Sequence, residues 1–310
     1  MNVLLLIVLN VIVPVFLLIG AGVLLHRVFH FEMNTLSKLN AFFLLPAVSF
    51  TNIYESKFDA GLLIRIIGFL VLQSFVLIVL SKVTAKVAQF DKGLTSTFSN
   101  SVVLSNSGNF GLPVSQLVFQ GNPLGLSVQV VVSIYQNLLT NTYGLMNAVS
   151  AQSQGLQLLK ELVKNPMIYA FVLGMIMHGF AVPIPAFIWN PLQNVANAFL
   201  AIALVTLGAQ SAYLQFKRLS AALIFSILGR LVVSPVIALS FIWLLKLDGT
   251  TAQALVIASS FPTFRNSAAF ALEYGNHPEY AAQAVLLTTL LSSVTVTAVV
   301  FAAKVLFVSH

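Results

Sequence analysis

The chain has 310 residues, of which 58% are hydrophobic and 7% are charged, and its mean hydropathy is +0.96. These values lie outside the range of soluble globular domains and indicate a protein of the lipid bilayer. The net charge is +7, but the basic residues lie singly between apolar segments, which argues against a nucleic-acid-binding patch. The absence of cysteine excludes disulfides, thiolate metal sites and a cysteine nucleophile.

Apolar segments of about 20 residues, the length that a helix needs to cross a bilayer, recur along the whole chain. No basic segment precedes Leu4, and a second apolar segment follows the first almost at once, so we interpret the first as a span and not as a signal peptide. Segments of alternating polarity, typical of membrane β-barrels, do not occur. The ten predicted spans cover residues 4–25, 36–53, 62–88, 94–120, 124–148, 165–183, 190–213, 219–246, 251–274 and 281–307.

The basic residues are distributed unevenly between the predicted loops. Even-numbered loops and the termini hold Lys57, Arg65, Lys246 and Lys304, and two arginines lie within predicted spans. Because cytoplasmic loops are enriched in Lys and Arg, we expect a multi-pass protein of the cytoplasmic membrane with its odd loops in the cytoplasm and both termini outside. The odd-numbered loops and their flanks hold Arg27, Lys38, Lys82, Lys86, Lys92, Lys160, Lys164, Lys217 and Arg218.

The connector near residues 156–166 is the most hydrophilic and divides the spans into five and five, which predicts two repeats at 1–155 and 156–310. An odd number of spans in each half makes the halves cross the membrane in opposite directions, as in many secondary transporters. Short matches support the repeat. Pro14, Gly22 and His26 recur 152 residues later as Pro166, Gly174 and His178, and Asn40-Ala-Phe recurs as Asn197-Ala-Phe.

Two predicted spans carry helix breakers near their middle. The fourth contains Ser105-Asn-Ser-Gly-Asn-Phe-Gly-Leu-Pro113, and the ninth contains Ser259-Ser-Phe-Pro-Thr-Phe-Arg-Asn-Ser267. Irregular backbone at mid-membrane is tolerated only against protein or water. Interrupted spans at corresponding positions of two halves indicate a transporter binding site, whereas simple kinks of packed helices are the structural alternative.

The ninth predicted span reads Phe261-Pro-Thr-Phe-Arg-Asn-Ser-Ala-Ala-Phe-Ala-Leu-Glu-Tyr-Gly-Asn-His-Pro278 and resembles the ninth span of the auxin efflux carrier (PIN-like) family. Asn106 with Gly111-Leu-Pro113 resembles the fourth span of that family, and Asn40 with Pro46-Ala-Val-Ser-Phe50 resembles its second. The resemblance covers the ten-span plan end to end. Without the long cytoplasmic loop of the plant carriers, the chain is similar to a short bacterial member.

The resemblance implies an all-α polytopic membrane protein of ten transmembrane helices, built as two inverted five-helix repeats whose broken fourth and ninth helices cross. It implies a scaffold domain of spans 1, 2, 6 and 7, a transport domain of spans 3–5 and 8–10, and elevator-type movement of organic anions. It places the crossover on Asn106, Pro113 and Pro262, with Asn106 in contact with substrate. The chain departs from the plant pattern at Ser267, where plant members have a second proline. Residues 66–80 also lack the acid expected in the third span, so no scaffold proton site is assigned.

Arg265 is the most informative charge, because a cation within a span is costly and usually functional. Its guanidinium and the adjacent helix start are both suited to a carboxylate. Snorkelling to the cytoplasmic interface and pairing with Glu273 are the alternatives. The predicted substrate-binding residues are Asn106, Asn109, Pro113, Pro262, Thr263, Arg265, Asn266, Asn137, Asn141 and Ser49.

Other polar residues allow a structural and a functional interpretation. Arg230 is either a structural cation that bonds backbone carbonyls or part of a pathway. His26 and His178 fit interfacial caps better than proton relays, and Glu273 and His277 fit a structural clasp. One face of the fifth span forms either a pathway or a helix contact; it carries Ser133, Asn137, Thr140, Asn141 and Gly144.

Ion coupling is left open by the sequence. All eight acids lie in predicted loops or near span ends, so no mid-membrane carboxylate is available to carry a proton or to bind Na⁺. Neutral oxygens, including those of Ser259 and Thr263, could hold Na⁺, and uniport or exchange is equally allowed. No cofactor and no other metal site is predicted. The acids are Glu32, Glu55, Asp59, Asp91, Glu161, Asp248, Glu273 and Glu279.

The sequence therefore predicts a secondary carrier for small organic anions, mono- or dicarboxylates, with the lipid bilayer as its environment, no nucleic-acid partner, and a homodimer left open. Paired acids, metal-ligand clusters and nucleophile motifs do not occur, so an enzyme is not expected. The alternatives are a sodium-coupled organic anion symporter of the bile-acid-carrier type, a channel, and a non-transporting membrane sensor of the same fold.

Overall fold

The computed structural model describes residues 3–55, 60–149, 166–213 and 219–307. Within these ranges the chain is helical and contains no strand, apart from one isolated pair of bridged residues. This confirms the prediction of an all-α fold. The helices are α1 (3–29), α2 (33–55), α3 (Ala60–Val87), α4 (Lys92–Val103), α5 (107–118), α6 (123–149), α7 (Pro166–Gly179), α8 (Ala186–Ser211), α9 (221–244), α10 (Gly249–Ser259), α11 (Arg265–Glu273) and α12 (Pro278–Leu306).

Five helical segments are long and apolar enough to cross a membrane by length and composition alone. The fourth and ninth predicted spans are each divided into two shorter helices, α4 with α5 and α10 with α11, and α7 is only 14 residues long. The count of ten spans therefore stays a prediction. The five segments are Leu4–Phe29, Gly61–Val87, Ala186–Ser211, Ala221–Leu244 and Pro278–Leu306.

Five helices contain one π turn each, at Val8–Ile12, Asn40–Leu44, Ser107–Gly111, Thr140–Gly144 and Gly229–Val233. A proline has no N–H group, and its ring clashes with the carbonyl four residues earlier. Four of the π turns contain the residue four positions before a proline, so the local widening of the helix has a steric cause. The prolines concerned are Pro14, Pro46, Pro113 and Pro235.

Glycines bring α1 and α8 into close contact. A Cβ atom added at Gly22 would lie 2.1 Å from the carbonyl oxygen of Val205, and one added at Gly208 would lie 1.9 Å from that of Ile19. Small residues permit this approach between helices in a membrane. In the neighbouring pair, a Cβ atom at Gly174 of α7 would lie 3.1 Å from the carbonyl oxygen of Phe50 in α2.

Two large apolar clusters hold the helices together. The larger one joins α1, α3, α8, α9 and α12 with the half-helices α5 and α10 and with α6. The second lies between α2, α7 and α8 on one side and α5 and α6 on the other; its buried members include Val48, Leu112, Val130, Phe199 and Ala203. This second cluster, called the α2–α8 contact layer below, packs against the region where the broken helices meet.

Candidate functional site

The breaks in the two interrupted spans lie directly against each other. Ser105 and Thr263 form an antiparallel bridge. The N–H group of Asn106 donates to the carbonyl of Pro262 at 2.8 Å, and that of Phe264 donates to the carbonyl of Leu104 at 2.9 Å. Each break therefore satisfies backbone groups that the other leaves unpaired, as the bilayer interior requires.

The glycines of the first break have different roles. A Cβ atom added at Gly111 would lie 2.6 Å from the ring of Phe261 and 2.8 Å from Nε2 of Gln129. Gly111 is therefore needed for the close approach of α5 to the second break. Gly108 has no heavy atom within 4 Å of such a Cβ position, so it faces open space.

Side chains of α6 support the first break. Gln129 Nε2 and Ser133 Oγ both donate to the carbonyl of Ser107 at 2.8 Å, and Gln136 Oε1 accepts the N–H group of Ser105 at 3.3 Å. Positions 129, 133 and 136 share one helix face. The sequence prediction named Ser133 but missed both glutamines, although their spacing from Ser133 was readable.

The second break is held by α4 and α12. Thr263 Oγ1 donates to the carbonyl of Ser101 at 2.7 Å, and its N–H group donates to Thr288 Oγ1 at 3.1 Å. Thr263 is fully buried. It therefore fixes the backbone of the break and does not line the cavity described next.

A cavity of about 550 Å³ opens beside the crossing, and we call it the Arg265 cavity. It holds five of the predicted site residues, Asn109, Asn137, Asn141, Arg265 and Asn266, which come from three separate helices. The sequence prediction did not name Ser37, Asn40 and Gln210 for this site. The other lining residues are Ala41, Phe42, Leu45, Gly108, Pro166, Met167 and Phe264.

The Arg265 cavity is electropositive. Arg265 is the one charged side chain among the described lining residues, it is exposed, and no described residue pairs with it, Glu273 included. The N–H groups of Gly108, Asn109, Arg265 and Asn266 have no partner in the described part of the chain, because they lie in the first turns of α5 and α11. Free N–H groups at helix starts and a guanidinium together favour an anion.

Two residues that line the cavity have an amide oxygen without a described partner. Asn40 donates through Nδ2 to Thr206 Oγ1 at 3.0 Å, but its Oδ1 atom is buried without a described partner. The Oε1 atom of Gln210 is likewise buried and unpaired. Unpaired buried polar atoms are rare in native proteins, so both atoms are unsatisfied acceptors within the cavity wall and not exposed contacts for a ligand.

The other five predicted residues lie outside the cavity lining. Asn106 is buried at the crossing with its Oδ1 atom unpaired. Pro113 is buried in α5, and Pro262 and Thr263 are buried in the second break. Ser49 donates to the carbonyl of Met167 at 3.1 Å and so ties α2 to α7.

A second cavity, of about 310 Å³, lies at the opposite ends of the same helices, and we call it the Gln116 cavity. Along α2, residue 45 lines the first cavity, residue 48 belongs to the α2–α8 contact layer, and residues 51, 52 and 55 line the second. The order along α5 is the same: Gly108, Leu112, Gln116. The contact layer therefore separates two polar cavities.

A third cavity, of about 480 Å³, adjoins the Arg265 cavity. Arg265 and Gln210 line both. Apolar side chains of α11 and α12, including Leu272 and Val285, form most of the remaining wall, which also contains the carboxylate of Glu279. An anion at Arg265 would therefore have a largely apolar surface with one carboxylate, that of Glu279, on one side and amides on the other.

The remaining polar residues make structural contacts. His178 Nδ1 lies 2.8 Å from the carbonyl of Tyr54, and the ring of His26 makes an edge-to-face contact with that of Tyr213. His277 Nε2 lies 3.1 and 3.2 Å from the two carboxylate oxygens of Asp91, so the partner that joins it to the start of α4 is Asp91 and not Glu273.

A helical membrane protein with two broken helices that meet between polar cavities has the fold and site of a membrane transport protein. Comparison with known proteins gives the family. The chain belongs to the family described as "Membrane transport protein", whose model matches residues 7–300, and this confirms the predicted relationship to the auxin efflux (PIN-like) carriers. An uncharacterized transporter of Methanothermobacter thermautotrophicus is 23% identical over 272 residues, which cover 85% of this chain and 87% of that protein.

Proposed function

We propose that this chain is a secondary carrier that moves small organic anions, mono- or dicarboxylates, across the cytoplasmic membrane by alternating access. The observation that carries the proposal is the Arg265 cavity, whose lining residues supply an unpaired guanidinium and four N–H groups without a described partner and include no described acidic side chain. A carboxylate can accept bidentate bonds from Arg265 and further bonds from the helix starts. The apolar wall of the adjoining cavity, which includes Leu272 and Val285, offers room for a hydrocarbon part.

An inverted repeat accounts for the two cavities. Asn40 and Asn197, the matching Asn-Ala-Phe positions, line the Arg265 and the Gln116 cavity respectively. Gly22 of α1 contacts α8, and Gly174, 152 residues later, contacts α2. Repeats of opposite orientation produce such exchanged contacts and equivalent cavities on opposite sides.

An elevator-type movement fits the position of the α2–α8 contact layer. The layer is made of apolar side chains between α2, α7 and α8 and the helices of the crossing. Displacement along such a surface would close one cavity and open the other. By the distribution of basic residues, the Arg265 cavity would face the cytoplasm and both termini would lie outside.

The role of Arg265 is tested by carboxylate uptake into proteoliposomes. Arg265→Gln should lower the uptake rate by at least about 10-fold, since hydrogen bonds to a charged group contribute about 1.5–3 kcal/mol. Arg65→Gln is the matched control, because Arg65 is an exposed arginine of α3 outside the cavities. Equal uptake by both variants would contradict the proposed site.

Two alternative functions would give different results in uptake and binding measurements. A sodium-coupled organic anion symporter would require Na⁺ for uptake, and a non-transporting sensor would bind a carboxylate without flux. Binding is measured separately by thermal shift, since a ligand that binds only the folded protein raises its apparent stability.

A further inference from the structure

Arg230 lies where the first halves of both broken spans end. It belongs to the π turn Gly229–Val233 of α9, and it is 2% exposed. Burying a guanidinium is unfavourable unless its donors are bonded. Its partners therefore show what the charge does.

Arg230 bonds to the last carbonyls of both half-helices. Nη1 donates to the carbonyls of Val102 at 3.0 Å and Val103 at 3.3 Å, and Nη2 donates to the carbonyl of Ser259 at 2.5 Å. Nη2 also donates to Ser234 Oγ at 2.8 Å, which in turn donates to the Ser259 carbonyl at 2.9 Å. One side chain therefore joins the C-terminal ends of α4 and α10.

The partners of Arg230 are chemically the ligands of a small cation. Carbonyls at a helix C-terminus are unpaired and carry the negative end of the helix dipole. In transporters with broken helices, such carbonyls and helix ends coordinate Na⁺. Among the described residues no Asp or Glu contacts Arg230, so carbonyl oxygens and a hydroxyl balance its charge.

Little space remains beside the guanidinium. A cavity of about 10 Å³ adjoins it, lined by polar side chains that include Gln73, Ser105 and Gln136. Nε of Arg230 and Oγ of Ser105 are buried there without a described partner. A volume of about 10 Å³ accommodates one water molecule but not a cation with its own shell of ligands.

We infer that Arg230 occupies the place of a coupling cation. It is a resident positive charge that holds the ends of α4 and α10 together, so the chain moves its anion without co-transported Na⁺. The statement about transport rests on the proposed function. The occupation of the cation site by Arg230 is independent of it.

Na⁺ alone, added to the purified protein, tests this occupation. The melting temperature of the wild-type protein should be the same in sodium chloride and in choline chloride at equal ionic strength. Arg230→Ala frees the carbonyls and the space, so Na⁺ should raise the melting temperature of this variant. Arg27→Ala, which also removes an arginine bonded to a backbone carbonyl, that of Ala212, should be insensitive to Na⁺. A Na⁺-dependent shift in the wild-type protein, or none in folded Arg230→Ala, would overturn the inference.

Uptake by the wild-type protein tests the inference even if Arg230→Ala does not fold. With malonate as the probe, uptake in choline medium should lie within about twofold of that in sodium medium. If Na⁺ were a coupling ion, uptake in choline medium would be lower by about tenfold or more. Such Na⁺ dependence would overturn the inference and leave the carrier proposal standing. No uptake of any carboxylate in either medium would instead contradict the carrier proposal, and the melting temperatures would still decide the inference.

Discussion

Arg265 and the asparagines around it show which residues of this site the sequence could predict. A cation or an amide within an apolar span is unfavourable without a function, so Arg265, Asn109, Asn137 and Asn141 stood out and do line one cavity. Gln210 lies near the end of its predicted span, where an amide is ordinary, and so carried no signal. Whether a predicted residue such as Asn106 faces the cavity or the crossing depends on the path of the break, which the pattern does not encode.

Gly111 and Gly108 offer a matched pair at the crossing. Gly111→Ala should destabilise the protein by about 1–3 kcal/mol, the usual effect of overpacking, because its Cβ atom would overlap the ring of Phe261. Gly108→Ala should leave the melting temperature unchanged or slightly higher, since its Cβ atom meets nothing within 4 Å. Thermal unfolding in detergent measures both, and equal melting temperatures would contradict the described packing.

Asp91 predicts a pH dependence outside the membrane-spanning segments. The pKa of the Asp91 carboxyl lies below its usual value. The main cause is the hydrogen bond from the N–H group of Leu94, at 2.9 Å, and the contact with His277 adds to it. The ionised carboxylate therefore stabilises the folded state above the ordinary Asp pKa of about 3.9, and this contribution is lost as the pH falls through the lowered folded-state pKa. Wild-type protein should be more stable than Asp91→Asn at pH 5–7, and the difference should shrink in more acidic buffer. A difference that grows on acidification would contradict this account.

The helices differ in how well sequence predicts them. Hydrophobic length locates each span, and the proline and glycine clusters locate both breaks, because these features act within one segment. The π turns were not predicted, although four contain the residue four positions before a proline. The pairing of one break with the other was implied only by the family resemblance, because contacts between residues about 160 positions apart leave no local pattern.

The glycine contact between α1 and α8 predicts a strong and selective effect on packing. Gly208→Ala should destabilise the protein by at least about 1–3 kcal/mol, because its Cβ atom would meet backbone, the carbonyl of Ile19, which cannot move without separating the helices. The control is Gly20→Ala: Gly20 follows Ile19 in α1, and a Cβ atom added there would meet no heavy atom within 4 Å. Melting temperatures of the two variants report the difference. A larger loss for Gly20→Ala would show that α1 and α8 do not meet as described.

At the scale of the whole molecule, the two polar cavities separated by the α2–α8 contact layer predict side-specific access. The chain has no cysteine, so single substitutions are readable without background. Asn141→Cys in the Arg265 cavity should react with a membrane-impermeant maleimide from the cytoplasmic side, and Asn197→Cys in the Gln116 cavity from the outside. Reaction of both from the same side would contradict the proposed orientation of the cavities.

The membrane class and the family were predictable at this scale, because composition and short motifs carry them, whereas the substrate was not. Cavity shape depends on side chains from six helices, and the charge of Arg265 fixes only the sign of the ligand. A carboxylate screen by thermal shift therefore comes before any substrate is named.

Counterflow in proteoliposomes tests most directly whether this chain is a carrier for organic anions. Vesicles loaded with an unlabelled carboxylate should accumulate the same labelled carboxylate transiently above its external concentration, because the unlabelled substrate inside competes with the label for the single alternating site and delays its exit. Arg265→Gln should abolish this overshoot, while Arg65→Gln should retain it. Saturable overshoot lost only in the Arg265 variant is the predicted result, and flux without overshoot, or no flux of any carboxylate, would contradict the account.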